Sequence, residues 1–183
     1  TEAIYFINRV LTDELQFLDR APTPNDRGFA ISPKGWIHLE RKPSESSSIG
    51  FCAMWFDDSM KSFYSNVLEP AIRDAGYEPL RIDNKEHTNK IDDEIVASIR
   101  SSRFVVADYT AGDTGPRGGV YYEAGFAHGL GLPVFFMARA KTDIHFDTRQ
   151  YNTIFWKPDA LEDARQRLHH RILATIGRGP FKT

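Results

Sequence analysis

Residues Arg103–Pro133 read RFVVADYTAGDTGPRGGVYYEAGFAHGLGLP. The stretch opens on an apolar, β-branched segment (Phe104, Val105, Val106), passes through a loop of Gly, Asp, Thr and Pro, and enters a helix-like segment whose one carboxylate is Glu123. Strand, loop and helix in that order, with an acid near the helix start, is the unit from which open α/β sheets are built. In such sheets ligands bind outside the carboxyl ends of the strands, where helix N-termini present free N–H groups. A carboxylate in the first helical turn is favoured as the anion by the helix dipole, which makes Glu123 a nucleophile or electrostatic stabiliser on one reading and a plain dipole complement on the other.

The flanking sequence repeats the pattern. IGFCAMWF from Ile49 is apolar at nearly every position, as in a parallel strand buried on both faces. Asp57, Asp58 and Ser59 close it, with Asp58 or Ser59 placed to cap a helix striped by Met60, Phe63, Tyr64, Val67, Leu68 and Ile72. Pro70 predicts a kink or break in that helix. Tyr77–Ile82 reads as a second strand ended by Asp83, and Ile91, Ile95 and Ile99 stripe a second helix running to Ser102. Pro133–Met137 and Thr153–Trp156 read as fourth and fifth strands; Leu161, Leu168, Ile172 and Ile176 stripe a closing helix, with Gly177 expected in the left-handed position. The predicted fold is α/β: a doubly wound, flavodoxin- or Rossmann-like parallel sheet of five strands.

Ahead of it, Ile4, Ile7, Leu11, Leu15 and Leu18 recur at the spacing of an amphipathic helix, or of two short ones divided near Thr12; Pro22 to Gly28 mark a turn, Phe29–Ile31 is a short apolar run, and Ser32 with Pro33 reads as an N-cap and first helical residue. This unit is too small to hold a core of its own. Its pattern is similar to the C-terminal part of a winged helix. KPSESSS (42–48) reads as a linker, giving segments 1–42, 43–48 and 49–183. The chain begins at Thr1, which points to a piece of something longer.

The 183 residues, 41% of them hydrophobic, suffice for one well-buried α/β domain. A formal charge of −2 and a pI near 6.3 supply no global attraction for nucleic acid. The single cysteine, Cys52, excludes an intrachain disulfide and a multi-cysteine metal site and fits a reducing compartment, with the cytosol as default. The longest apolar run, Leu130 to Ala138, is about half of what a bilayer span requires, so no membrane partner is expected.

GxGxxG after the first strand, GxxxxGK[ST] and GxSxG are all absent, and His87, His128 and His145 are too scattered for a metal site. No cofactor is implied. The acids at predicted strand ends (Asp57, Asp58, Asp83, Asp108) together with Glu123 would converge on one edge of a parallel sheet. Several carboxylates without a metal suit chemistry through an oxocarbenium-like sugar cation, one acid attacking or shielding the anomeric carbon and another handling the proton. Tyr121 and Tyr122 can pack on a base or a sugar, or belong to the core.

SRFVVADYT followed by GGVYYEAGFAHGLGLPVFF resembles the nucleoside 2-deoxyribosyltransferase-like superfamily, in particular its deoxynucleoside monophosphate N-glycosidases. Gly119, Val120, Tyr122, Glu123, Gly125 and Ala127 match the family pattern position by position, and a looser likeness runs from Ile49 to about Gly177. The resemblance implies that Glu123 is the nucleophile at C1′ of a nucleoside or nucleotide, and that base departure is assisted by Asp108 or a water it holds. It implies further that Ala53, Met54, Trp55 and Asp58 on one loop, with Asp113, Gly119, Tyr121 and Tyr122 on the other side, hold base, sugar and any 5′-phosphate. TIR domains that cleave NAD have a related layout and are the near alternative, as is a non-catalytic nucleotide sensor within a larger bacterial protein. The homo-oligomers of related folds extend that expectation to this chain. Two departures stand out: Arg117 occupies the place, six residues before the Glu, where the transferases carry an Asp, and Arg103 stands where an acid is usual. HFDTRQYNTIFW (145–156) is similar to a segment that follows such domains in bacterial proteins; in it Arg149 either clamps a phosphate or makes a surface salt bridge.

Overall fold

The structure, a computed structural model, describes residues 2–20, 28–35, 46–82, 91–112 and 115–181, with the side chains of residues 91 and 92 excepted. The chain divides into two units, Thr1–Glu45 and Ser46–Thr183.

In the first unit, α1 (Glu2–Tyr5) runs on into a π-helical stretch, Phe6–Glu14. The helix expected to reach Leu18 stops short of it: Gln16 takes a positive φ of 58°, and the chain turns into β1 (Leu18–Arg20), which pairs antiparallel with β2 (Phe29–Ile31), Leu18 facing Ile31. Three residues of strand are too few to show a period, which is why the apolar spacing read as helix. Ser32 caps as expected, its hydroxyl accepting from the Gly35 N–H (2.9 Å) and donating to the Gln16 carbonyl (2.6 Å). The winged-helix likeness falls in part on residues outside those described.

In the second unit the apolar runs become a parallel sheet of β3 (Ile49–Ala53), β4 (Glu78–Leu80), β5 (Phe104–Asp108), β6 (Val134–Arg139) and β7 (Ile154–Trp156), in the order β4-β3-β5-β6-β7. This is the flavodoxin-like winding, whose order reverses between β3 and β5. The expected strand over Tyr77–Ile82 is shorter, and Asp83, thought to close it, lies outside the described residues.

After β3, the cap is Asp57 rather than Asp58 or Ser59: its carboxylate accepts from the Ser59 N–H at 3.0 Å and the Ser59 hydroxyl at 2.7 Å. A 3₁₀ turn (Asp58–Met60) then leads through α2 (Lys61–Phe63) and a π-helical turn (Tyr64–Leu68) into α3 (Glu69–Asp74). Pro70 therefore neither breaks nor ends the helix. The Glu69 N–H reaches back five residues to the Tyr64 carbonyl, and the widened turn absorbs the proline's missing donor just beyond it. α4 (Ile91–Ser101), α5 (Gly118–Gly129) and α6 (Leu161–Ile176) complete the unit. Gly177 ends α6 with φ 78° but ψ −172°, outside the left-handed helical region expected for it.

Side chains alternate across the strands and so build two cores. On one face Cys52, Val106, Met137, Ile154 and Trp156 pack with Met60, Phe63, Leu68 and Ile72 and with Leu168 and Ile172 of α6; Phe63 stacks on Trp156 at 4.1 Å. On the other, Phe51, Ala53, Val105, Ala107 and Phe136 pack with Ile99 of α4 and with Val120, Ala124 and Ala127 of α5. Each large side chain buried this way contributes roughly 1.5–3 kcal/mol. The open edge of β7 is covered from its own side: Arg167 of α6 donates to the Phe155 carbonyl (3.2 Å) and Arg171 to the Asn152 carbonyl (2.6 Å).

Candidate functional site

The strand order reverses between β3 and β5, so the segments leaving their C-terminal ends, Met54–Asp57 and Tyr109 onward, frame the crevice where this winding places ligands. α5 rises from the second of them.

Glu123 lies in the second turn of α5, because the helix begins at Gly118. That corrects the first-turn placement expected from sequence, and the dipole does not govern the carboxylate. Burial does: Glu123 is half-buried, its carboxyl is pushed up to about 7 by desolvation, and among the described residues it has no hydrogen bond or ion pair to offset that. At about 100° per residue it shares a flank with Gly119 one turn above and Phe126 below, and Phe126 lies under the Arg100 guanidinium of α4 at 5.5 Å. Glu123 therefore faces the groove between α4 and α5.

Asp108, the expected partner, lies across the sheet from it. Strand alternation turns its side chain into the opposite core, where it is fully buried and accepts from Trp156 Nε1 (2.8 Å) and the Thr110 N–H (3.0 Å). Burial raises its pKa, against those hydrogen bonds and the nearby Arg139. The structure makes Asp108 an internal anchor tying β5 to β7, and the two acids do not form a pair.

The remaining candidates separate likewise. Ala53 and Met54 are buried in the two cores, so only their backbone faces the crevice. Asp58 is exposed and ion-paired with Lys61 at 2.8 Å. Tyr121 points to the far flank of α5, stacked on Tyr109 at 4.1 Å with its hydroxyl accepting from the His145 N–H, while Tyr122 is 62% exposed. Arg149 takes the salt-bridge alternative, to Asp143 at 2.6 Å, and donates to the Ile144 carbonyl. Asp113 lies outside the described residues, as does Asp83. The positions retained at the crevice are Trp55, Gly119 and Glu123.

Arg117, which departs from the family pattern and as a cation favours the nucleotide-sensor alternative, lies at the crevice. It is the residue before α5, and its guanidinium lies over the Trp55 ring at 4.1 Å. A Cβ on Gly112 would overlap the Trp55 ring, so only glycine lets the β5 loop pass this close. Asp57 stands opposite: its carboxyl is held below the ordinary range first by the Ser59 hydrogen bonds and, more weakly, by Arg117. The sequence signal was Arg117 itself, a cation set immediately ahead of two glycines and a helix.

Cys52 offers no competing nucleophile, being fully buried with its thiol pushed up to about 12 by desolvation. Among the described residues no group of three or more His, Cys, Asp or Glu is placed to hold a metal ion, and no helix is long and apolar enough to cross a membrane.

A five-stranded parallel sheet in flavodoxin order, flanked by helices on both faces, defines the fold class. The α/β unit has the fold of the nucleoside 2-deoxyribosyltransferase-like proteins: a 2-desoxiribosyltransferase from Leishmania mexicana superposes with a TM-score of 0.51 at 18% identity, over 67% of this chain and 97% of that one. A rubredoxin oxygen:oxidoreductase from Desulfovibrio gigas gives a TM-score of 0.45 at 15% identity, over 77% of this chain and 39% of that one. No family model and no curated protein sequence matches the chain.

Proposed function

We propose that the α/β unit cleaves the N-glycosidic bond of a nucleoside or nucleotide, with Glu123 as the carboxylate nucleophile. The observation that carries the reading is the state of Glu123: a half-buried carboxyl without a partner among the described residues, raised to about 7 by desolvation, in the groove beside the switch point of this fold. A carboxylate that no donor satisfies is both reactive toward a developing sugar cation and stabilised by it.

In the first step a Glu123 carboxylate oxygen bonds to C1′ as the C1′–N bond breaks. The bonding pair leaves with the base, which takes a proton from water, since Asp108 is sealed on the other side of the sheet. In the second step water attacks C1′, the sugar–carboxylate ester breaks, and the carboxylate is regenerated with release of a proton; a second base in place of water gives transfer instead. The absence of a second carboxylate beside Glu123 among the described residues also supports the alternative of a nucleotide-binding sensor.

The test is to incubate the protein and Glu123→Gln with nucleosides, deoxynucleoside 5′-monophosphates and NAD, following free base or nicotinamide by chromatography. Base release by the wild type and a loss of about 100-fold or more in the variant is expected, the usual worth of removing the covalent nucleophile. Full retention of activity by Glu123→Gln sinks the assignment. Release confined to nicotinamide moves it to the NAD-cleaving alternative.

A further inference from the structure

We propose that the outer edge of β7 is a docking site for an extended, acidic segment of a partner protein, with the side-chain pattern acid, apolar, acid. The site lies two strands out from β5 and the switch point, and it does not depend on the reading of Glu123.

β7 is the last strand of the sheet, and its two flanks differ in kind. Ile154 and Trp156 turn into the core beneath α6, so Phe155 between them turns to the other face, where it is 46% exposed. The connection from β6 to β7 crosses that face with only the 3₁₀ turn Phe146–Thr148 in place of a helix. Ile144, Tyr151, Thr153 and Phe155 line a hollow of about 180 Å³ there, and the Arg149–Asp143 ion pair lies at its rim. Small-molecule clefts run from roughly 300 Å³ upward, so the hollow suits a single apolar side chain.

The α6 flank carries Arg167 and Arg171, one helical turn or about 6 Å of rise apart. Arg171 makes no ion pair among the described residues. Its guanidinium rests on the Asn152 carbonyl (2.6 Å) and side-chain oxygen (3.1 Å), and burial, then repulsion from Arg167, hold its pKa below the ordinary arginine range. Arg167 is shared between the Phe155 carbonyl (3.2 Å) and Asp163 (3.4 Å). Two like charges one turn apart, with a single long carboxylate contact between them, are complementary to an anionic partner. A carboxylate accepts from guanidinium roughly twice as strongly as the neutral carbonyls that now do so.

Strand geometry joins the two flanks. In an extended segment beside β7, residues i and i+2 fall about 6.5 Å apart on the α6 side, which matches the two guanidinium groups, while residue i+1 faces Phe155 and the hollow. The segment's carboxylates draw Arg167 and Arg171 off the strand, and the released carbonyls of Phe155 and Asn152 accept from its backbone N–H groups. A neutral or basic segment has nothing to offer the guanidinium groups and meets them still in place.

Fluorescence polarisation with the full chain and labelled peptides, Asp-Leu-Asp set in a frame of Thr and Ser, tests the site. Asp-Leu-Asp is expected to bind about tenfold or more tighter than Asn-Leu-Asn or Asp-Ser-Asp, and tighter than Asp-Asp-Leu, whose two acids fall on opposite faces. Arg167→Gln combined with Arg171→Gln is expected to erase the advantage over Asn-Leu-Asn, Phe155→Thr the advantage over Asp-Ser-Asp, and Arg171→Lys to retain part of the first. No binding of Asp-Leu-Asp at millimolar concentration, equal binding of Asp-Asp-Leu, or an advantage that survives its variant overturns the proposal. Full displacement of the peptide by oligothymidylate also overturns it, since the edge would then read negative charge alone. Should the double variant not fold, Arg171→Lys and Phe155→Thr carry the same comparison.

Discussion

Glu123 pays for its position in stability, and the pH dependence of that cost is measurable. Its folded pKa of about 7 lies above the ordinary 4.5, so between those values the folded state holds more proton than the unfolded one. Stability from this group is fully present below about pH 4.5, falls as the pH rises toward 7, and stays low above it. Glu123→Gln is therefore expected to raise the unfolding free energy at pH 8, by on the order of 1–2 kcal/mol after discounting for solvent screening, and to change it little at pH 4. Catalysis runs the opposite way, because the nucleophile is the anion: initial rates of base release should climb through an apparent pKa near 7 and level off above it. A rate that falls over that range would mean Glu123 acts as an acid. Glu123 was legible in the sequence from its setting between glycines after an apolar strand. Its protonation was not, because desolvation depends on what α4 brings against α5, which local spacing does not contain. Arg117 was legible as a cation ahead of the helix, but its stacking was not, since nothing local places Trp55, 62 positions earlier, beneath it.

At the scale of elements, the β5–β7 tie is the part most open to test. Trp156 both stacks on Phe63 and donates its indole N–H to the buried Asp108. Trp156→Phe keeps the ring and removes the donor, leaving a fully buried carboxyl short of one partner; a loss of about 1–3 kcal/mol in urea unfolding is expected. A loss no larger than that of an exposed substitution would mean the hydrogen bond contributes nothing. The strands themselves were legible because a parallel sheet covered on both faces writes itself as unbroken apolar runs, and the helices because their stripes keep a period near 3.6. Which helix covers which face is written in neither signal. Phe104, Val106 and Asp108 alternate plainly, yet only the assembled layers reveal that this row faces α6 and that Glu123 belongs to the other side. The π-helical turn before Pro70 escaped for a related reason: proline forecasts a lost hydrogen bond, and the backbone's remedy is set by packing around it.

For the whole molecule, we infer that the α/β unit is self-sufficient. Among the described residues both cores are built from Ser46–Thr183, and the strand ends that frame the site belong to that unit. A fragment of residues 46–183 is expected to unfold in one cooperative transition and to keep the nucleotide binding of the full chain, checked by circular dichroism and calorimetry. Loss of cooperativity would assign the first 45 residues a structural part in the sheet unit. The guanidinium cover on β7 bears on how copies of this chain can meet. A sheet ordinarily grows by hydrogen-bonding a newcomer to its outermost strand, and here the carbonyls of Phe155 and Asn152 are already answered by Arg167 and Arg171. A strand arriving along β7 would first have to displace those two guanidinium groups, so on that side the chain's own α6 competes with any newcomer for the carbonyls that templated growth requires.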